Sequence, residues 1–376
     1  MHPEVLLAEL GAPFVDGALV HLNNAGMAPM SARSERALNE LGALMREGSH
    51  AVPRLLKRYE AARATFARLV GCDGGDLAFF QTCAAAISQV AFGLPLQPGD
   101  SIVLLDQEYP SNFYPWHRAA ERAGAHVVVV PSRQDFSIDY DRLIESITSK
   151  TRVISVSFVQ FQTGAMVDLV RVVEAAAKVS ALVVVDAIQG LGVLPFSMSE
   201  LGVDAVCGGS QKWLLGPLGH GFLAVTPALR ERLTPVLQGA ISYGTPDDVV
   251  DVTRPLRADI RRFEPGTPLV MGAAPTAASI ELLLGIGIER VGKEARAVAD
   301  LVDEEARRRG FEVRPRSKSP IVVFVPPGDL REHAAHLREE GISVAVRGGG
   351  IRVSPHAFNS KDDVARLFSA LQGAQL

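Results

Sequence analysis

Cysteine is scarce in this sequence: Cys72, Cys83 and Cys207 are the only three among 376 residues. Odd in number and widely spaced, they fit neither a disulfide framework nor a zinc site, and they point to a reducing compartment. Charge of one sign is missing too. The 38 basic residues face 42 acidic ones, for a net charge of -4, without a long like-charged run. That balance offers no electrostatic footprint for nucleic acid or anionic lipid, so neither partner is expected. Apolar runs such as residues 127–130 are far too short to cross a bilayer. The opening residues place Glu4 and Glu9 among leucines, where a secretory signal would need a basic stretch and then an apolar one, so a cytoplasmic protein is expected. No Gly-x-Gly-x-x-Gly lies between an early strand and helix, which counts against a nucleotide-binding oxidoreductase. Small-molecule chemistry remains.

Hydrophobic residues make up 47% of the chain, enough for one large and one smaller core. Short β-branched runs at 77–80, 101–105, 126–130, 152–158, 182–185 and 221–225 predict buried strands. Amphipathic segments such as 112–123 and 169–179 lie between them, and this alternation predicts an α/β fold with a mainly parallel sheet between helical layers. From about residue 254 the pattern changes. A long helical stretch over 272–309, which Gly285 and Gly287 could break, precedes strands at 321–325, 342–346 and 351–354. The organisation expected is an N-terminal segment (1–30), a large domain (31–253) and a small α+β domain (254–376).

Open α/β sheets bind ligands beyond the carboxyl ends of their strands, so polar residues there come first. The run Val183-Val184-Val185 ends abruptly in Asp186, with Gln189 three residues on. On its own, Asp186 reads first as an aspartate that caps the next turn. Lys212 sits in the glycine-rich stretch Cys207-Gly208-Gly209-Ser210-Gln211-Lys212, followed by Trp213, Leu214 and Leu215. A lysine desolvated by such neighbours loses its proton more easily and becomes a nucleophile towards a carbonyl. Thr82, Cys83 and Ala84 stand where a strand passes into a helix, a place suited to an anion.

Together, Asp-x-x-Gln after an apolar strand and Ser-x-Lys before Gly216-Pro217 resemble the signature of class V aminotransferases, pyridoxal phosphate (PLP) enzymes of fold type I. The resemblance extends from about His21 to the C-terminus. It implies that Lys212 carries the cofactor as a Schiff base, Asp186 pairs with the pyridine nitrogen, and Gln189 contacts the ring oxygen. Thr82, Cys83 and Ala84 would seat the phosphate, chiefly through the backbone, since Cys83-Ala84-Ala85 replaces the family's Thr-Thr-Glu. Ser210 and Gln211 match further phosphate contacts, and Gln160 a position near the phenolic oxygen. Tyr109 stands where the family usually stacks a histidine on the ring; the packing role is kept and the imidazole is lost. Phe263-Glu264-Pro265-Gly266-Thr267-Pro268 is similar to a loop whose threonine reaches the partner subunit's phosphate, which implies a homodimer with Thr267 completing the partner's site. Arg352, in Arg-x-Ser, would grip a substrate α-carboxylate, with Asn24 as a second substrate contact.

The family runs several reactions from one cofactor. A desulfurase of the persulfide type carries a thiolate shortly before the carboxylate arginine, and this chain has no cysteine after Cys207. Ser-Gln-Lys is shared with alanine-glyoxylate aminotransferases. The expectation is therefore transamination between a small amino acid and an oxo acid. A lyase or epimerase similar to isopenicillin N epimerases comes second, desulfuration after it, and an inactive scaffold is the non-enzymatic alternative. Arg347 is open to a substrate or a solvent role.

Overall fold

Small and β-branched side chains at alternate and consecutive positions build a seven-stranded sheet in this computed structural model, which describes residues 4–10, 17–244 and 250–373. Its spatial order is Leu77–Phe80, Gly221–Val225, Ala205–Gly209, Leu182–Asp186, Thr151–Ser157, Ser101–Leu105 and His126–Val130. Gly221–Val225 runs antiparallel to both its neighbours, and the other pairings are parallel. Helices cover both faces. One core packs Phe66, Phe79, Val185 and Trp213 on one side, and the other packs Ile87, Val184, Cys207 and Trp116 on the opposite side. The sheet is buried on both faces except at its His126–Val130 edge, which is half exposed.

Two departures from the sequence reading stand out. The glycine-rich stretch before Lys212 begins as a fully buried strand, Ala205–Gly209. Its glycines are packing requirements: a Cβ on Gly208 would lie 2.5 Å from the Phe222 ring. The long helical stretch does break, at Gly287 (φ 97°), into Val270–Ile286 and Ile288–Arg308, bent by 84°. The first of these packs its buried side chains into the large core, past the boundary expected at residue 254. No single helix among the described residues is long and apolar enough to cross a membrane.

The smaller sheet is antiparallel, in the order Ala345–Arg347, Gly350–Val353, Val322–Val325, Glu312–Val313. The N-terminal segment forms a separate two-stranded sheet beside it. Val20–His21 pairs in parallel with Ile342–Ser343, and Asn23 bridges to Ser354. Residues 17 onward thus reach the cavity from the small domain's side.

The loop carrying Thr267 is tied to the large sheet by an ion pair that is almost fully buried. Arg63 and Glu264 face each other through two bonds of 2.8 and 3.0 Å, and Glu264 also accepts the Phe79 N–H at 2.8 Å. Removing one partner strands a charge without water, which costs far more than the intact pair contributes. Arg63→Met should therefore destabilise the protein by about 3–5 kcal/mol, seen as a lower urea midpoint. The double variant Arg63→Met/Glu264→Leu should recover most of that loss.

Candidate active site

The carboxyl ends of three adjacent strands open into one cavity of about 380 Å³. Asp186 is the last residue of its strand, level with Ser157 on one side and Cys207 on the other. Lys212 follows the end of the neighbouring strand within a turn that its flanking residues hold rigidly. Trp213, Leu214 and Leu215 are buried, and Leu215 adopts a left-handed conformation (φ 54°) that a leucine rarely takes. Its carbonyl accepts from the Ser31 N–H and the Ser279 hydroxyl, both at 3.0 Å, which keeps the turn in place.

The electrostatics of the two groups oppose their ordinary charge states. Burial holds the Asp186 carboxyl above the usual carboxylate range, against the Ile188 N–H at 3.0 Å, the Lys212 charge and the Cys83 thiol. Burial likewise lowers Lys212 to about 8; Asp186 opposes this and the Arg352 charge adds to it. The Lys212 amine makes no hydrogen bond or ion pair among the described residues and lies 5.6 Å from the centre of the Tyr109 ring.

At the opposite end of the cavity the helix Cys83–Gly93 begins. Thr82 caps it by accepting the Ala85 N–H at 3.0 Å, which leaves the Cys83 and Ala84 N–H groups for an anion. Gly221 allows the close approach, since a Cβ there would lie 2.5 Å from the Thr82 carbonyl carbon. The donor set fits PLP: an unengaged amine for the aldehyde, a buried carboxylate that a ring N–H would satisfy, and a helix start for the phosphate.

Tyr109 is fixed from behind. Glu108, fully buried, accepts from the Asn112 amide, the Ser157 N–H and hydroxyl, and the Gln160 amide, and burial raises its carboxyl to about 6. Asn112 in turn accepts from the Trp116 indole at 3.2 Å and the Ser155 hydroxyl at 2.6 Å. The spacing of Glu108, Asn112 and Trp116 ties the segment to the strand Thr151–Ser157, and Tyr109 packs edge-on against Phe161 at 5.0 Å.

Arg352 lines the same cavity from the small domain. It is 3% exposed; its guanidinium donates to the Phe161 carbonyl at 2.6 Å and to Asn23 Oδ1 at 3.2 Å, and its Nε has no partner. Burial, then the neighbouring Arg347 charge, lowers it to about 10. A buried cation without a carboxylate partner can accept one from a ligand.

Thr82, Cys83, Ala84, Tyr109, Asp186, Gln189, Gln211, Lys212 and Arg352 all line this cavity. Four expected site residues do not. Gln160 spends its amide on Glu108 and borders a separate small hollow. The Ser210 hydroxyl lies on the Pro217 and His220 carbonyls and braces the lysine turn. Asn24 gives its amide to the Ser354 carbonyl at 2.9 Å, and Asn23, one residue earlier, touches Arg352 instead. Thr267 is exposed and faces other hollows of the surface. Gln189 itself is engaged at both ends, donating to the Ala25 carbonyl and accepting from Trp213. Sequence reasoning missed Asn23, the Phe161 carbonyl and the network behind Tyr109; only the spacing of Glu108, Asn112 and Trp116 hinted at the last.

Only a neutral amine attacks an aldehyde. The rate at which the cofactor-free protein captures PLP should therefore rise about tenfold per pH unit up to about 8 and level off above it. Stopped-flow absorbance of the visible band checks this. Lys212→Ala should show no such band at any pH.

Comparison with known proteins agrees with this geometry. The family model described as Aminotransferase class-V matches residues 28–367. A probable cysteine desulfurase of Methanothermobacter thermautotrophicus is 28% identical, covering 85% of this chain and 84% of its own. The uncharacterized aminotransferase YcbU of Bacillus subtilis is 25% identical over 82% of each. The crystal structure of the cysteine desulfurase CsdA from Escherichia coli superposes with a TM-score of 0.89 at 27% identity, covering 100% of this chain and 98% of that one. With a lysine, a carboxylate and a helix start arranged around one cavity, and a family match over nearly its whole length, this chain belongs to the class V aminotransferases, PLP-dependent enzymes of fold type I.

Proposed function

We propose that this enzyme transfers the amino group of a small α-amino acid to an oxo acid, with Lys212 as both cofactor anchor and proton carrier. When bound, PLP supplies an aldehyde for the amine and an electron-withdrawing ring that acidifies the α-hydrogen. Arg352 holds the α-carboxylate and so fixes which bond at the α-carbon lies near Lys212. The Lys212 amine then takes the α-proton and returns it one carbon away, a shift that needs a single base. The observation that carries this reading is that Lys212 is the one amine facing the cavity among the described residues, while the histidine there, His220, is wedged between Phe66 and Phe79 and held neutral by burial, at about 3.

The relatives named cysteine desulfurase favour a second reading, cleavage of a carbon–sulfur bond. It shares the first proton abstraction by Lys212. Storing sulfur on the enzyme would further need a thiolate over the substrate. Here the segment before Arg352 is a closed hairpin, turning through Gly348 (φ 60°) and Gly349 (φ 72°) without a thiol. Cys83, which does line the cavity, is kept protonated by burial and by Asp186, to which it hydrogen-bonds. Transamination therefore ranks first.

Single additions of L-alanine, L-glutamate and L-cysteine to the enzyme separate the two. Transamination predicts loss of the visible band, one oxo acid released per site, and return of the band on adding an oxo acid. Sulfide released from cysteine while the band persists would overturn it in favour of carbon–sulfur cleavage.

A homodimer is part of the same proposal: Thr267 is exposed, lies outside its own chain's cavity and borders a hollow with Leu38, Leu218 and Met271. If each Thr267 serves the partner's site, mixing inactive Lys212→Ala with a Thr267→Ala variant of reduced activity should raise activity above the sum of the two, because one site of each mixed dimer is intact. Strict additivity would refute the shared site.

A further inference from the structure

Arg352 is not the only guanidinium facing the cavity. Arg347 lines it as well, from the paired strand of the same hairpin. The register places Ala345 opposite Arg352 and Arg347 opposite Gly350, so the two arginines are diagonal neighbours on one face of the small sheet. Such positions stand about 7–8 Å apart, within reach of one short ligand held at both ends.

Neither arginine has a carboxylate partner among the described residues. Arg347 donates to the Val346 carbonyl at 2.7 Å, Arg352 to a carbonyl and an amide oxygen, and the Arg352 Nε is orphaned although the residue is 3% exposed. The carboxylate in the cavity lining is Asp186, at the cofactor end. The hairpin also fixes the backbone at Arg347, whose side chain is exposed. Gly348 packs against the large domain so closely that a Cβ there would lie 2.7 Å from the Gln162 carbonyl, and the Arg314 guanidinium donates to the Gly348 carbonyl at 3.2 Å. Two like charges held side by side raise each other's energy unless anions sit between them.

We propose that Arg347 binds a second anionic group, at the far end of the substrate's side chain, so that the substrate class is acidic amino acids: Arg352 takes the α-carboxylate and Arg347 the side-chain carboxylate. This rests on the assignment of Arg352 to the α-carboxylate, and it narrows the substrate from any small amino acid to a dicarboxylic one.

Unreactive acids test it independently of the reaction catalysed. Calorimetric titration of the PLP-loaded enzyme compares glutarate, with two carboxylates, and valerate, with one on a chain of the same length. Glutarate should bind at least about tenfold more tightly, a difference of about 1.4 kcal/mol. Arg347→Met should bring glutarate to within about twofold of valerate while valerate binding stays as it was, which also shows that the variant is folded. Arg352→Met should weaken both acids. Equal affinities in the unaltered enzyme, or a glutarate preference that survives Arg347→Met, would overturn the role of Arg347 and leave the transamination reading standing. If neither acid binds, and L-alanine and L-glutamate also leave the visible band unchanged, both readings fall together.

Discussion

Everything in the site follows from two opposed charges denied water at the ends of neighbouring strands. Asp186 and Lys212 each carry an ionisation that burial resists, and neither can relax, because one terminates a fully buried strand and the other sits in a turn locked by Trp213, Leu214 and the left-handed Leu215. The cavity is thereby poised for a ligand with a cationic ring nitrogen at one end and an aldehyde nearby, which satisfies both groups at once. The phosphate position is supplied by a different device, a helix start left open by a threonine cap.

The division of labour between the two domains is equally physical. The large sheet supplies Asp186, Lys212 and the helix start at Cys83, all at or just beyond strand ends, where backbone geometry is most exact. The small domain and the N-terminal segment supply Arg352, Arg347 and Asn23. The two sets meet at the Phe161 carbonyl, which accepts from Arg352 and belongs to the segment whose ring packs against Tyr109. Arg352 and Tyr109 are therefore both fixed by one residue, Phe161.

Much of this was legible in the residues. Unbroken β-branched runs such as 182–185 read as buried strands because parallel sheets have no polar face, and the polar residues closing those runs mark the ligand end. Other features were hidden for identifiable reasons. The end of the strand Ala205–Gly209 was not legible, because Gly208, which makes room for Phe222, looks in a sequence like part of the glycine-rich stretch around Lys212. Asn24 is the asparagine named from sequence, but adjacent residues of an extended segment face opposite ways, and it is Asn23 that meets Arg352. Gln160 matched its position in the sequence but not its partner, since the carboxylate that captures it, Glu108, lies 52 residues away. Arg347 became significant only through strand register, which a sequence of short runs does not disclose.

The pairing of Val20–His21 with Ile342–Ser343, and of Asn23 with Ser354, has a bearing on how the enzyme is made. These contacts join residues 20–23 to residues 342–354, so they form only after that later stretch has been made. The strands that lead to Asp186 and Lys212 are encoded earlier and can condense first, while Arg347 and Arg352 wait for later strands to emerge. During synthesis residues 20–23 thus stay without their strand partners until residues 342–354 arrive to claim them.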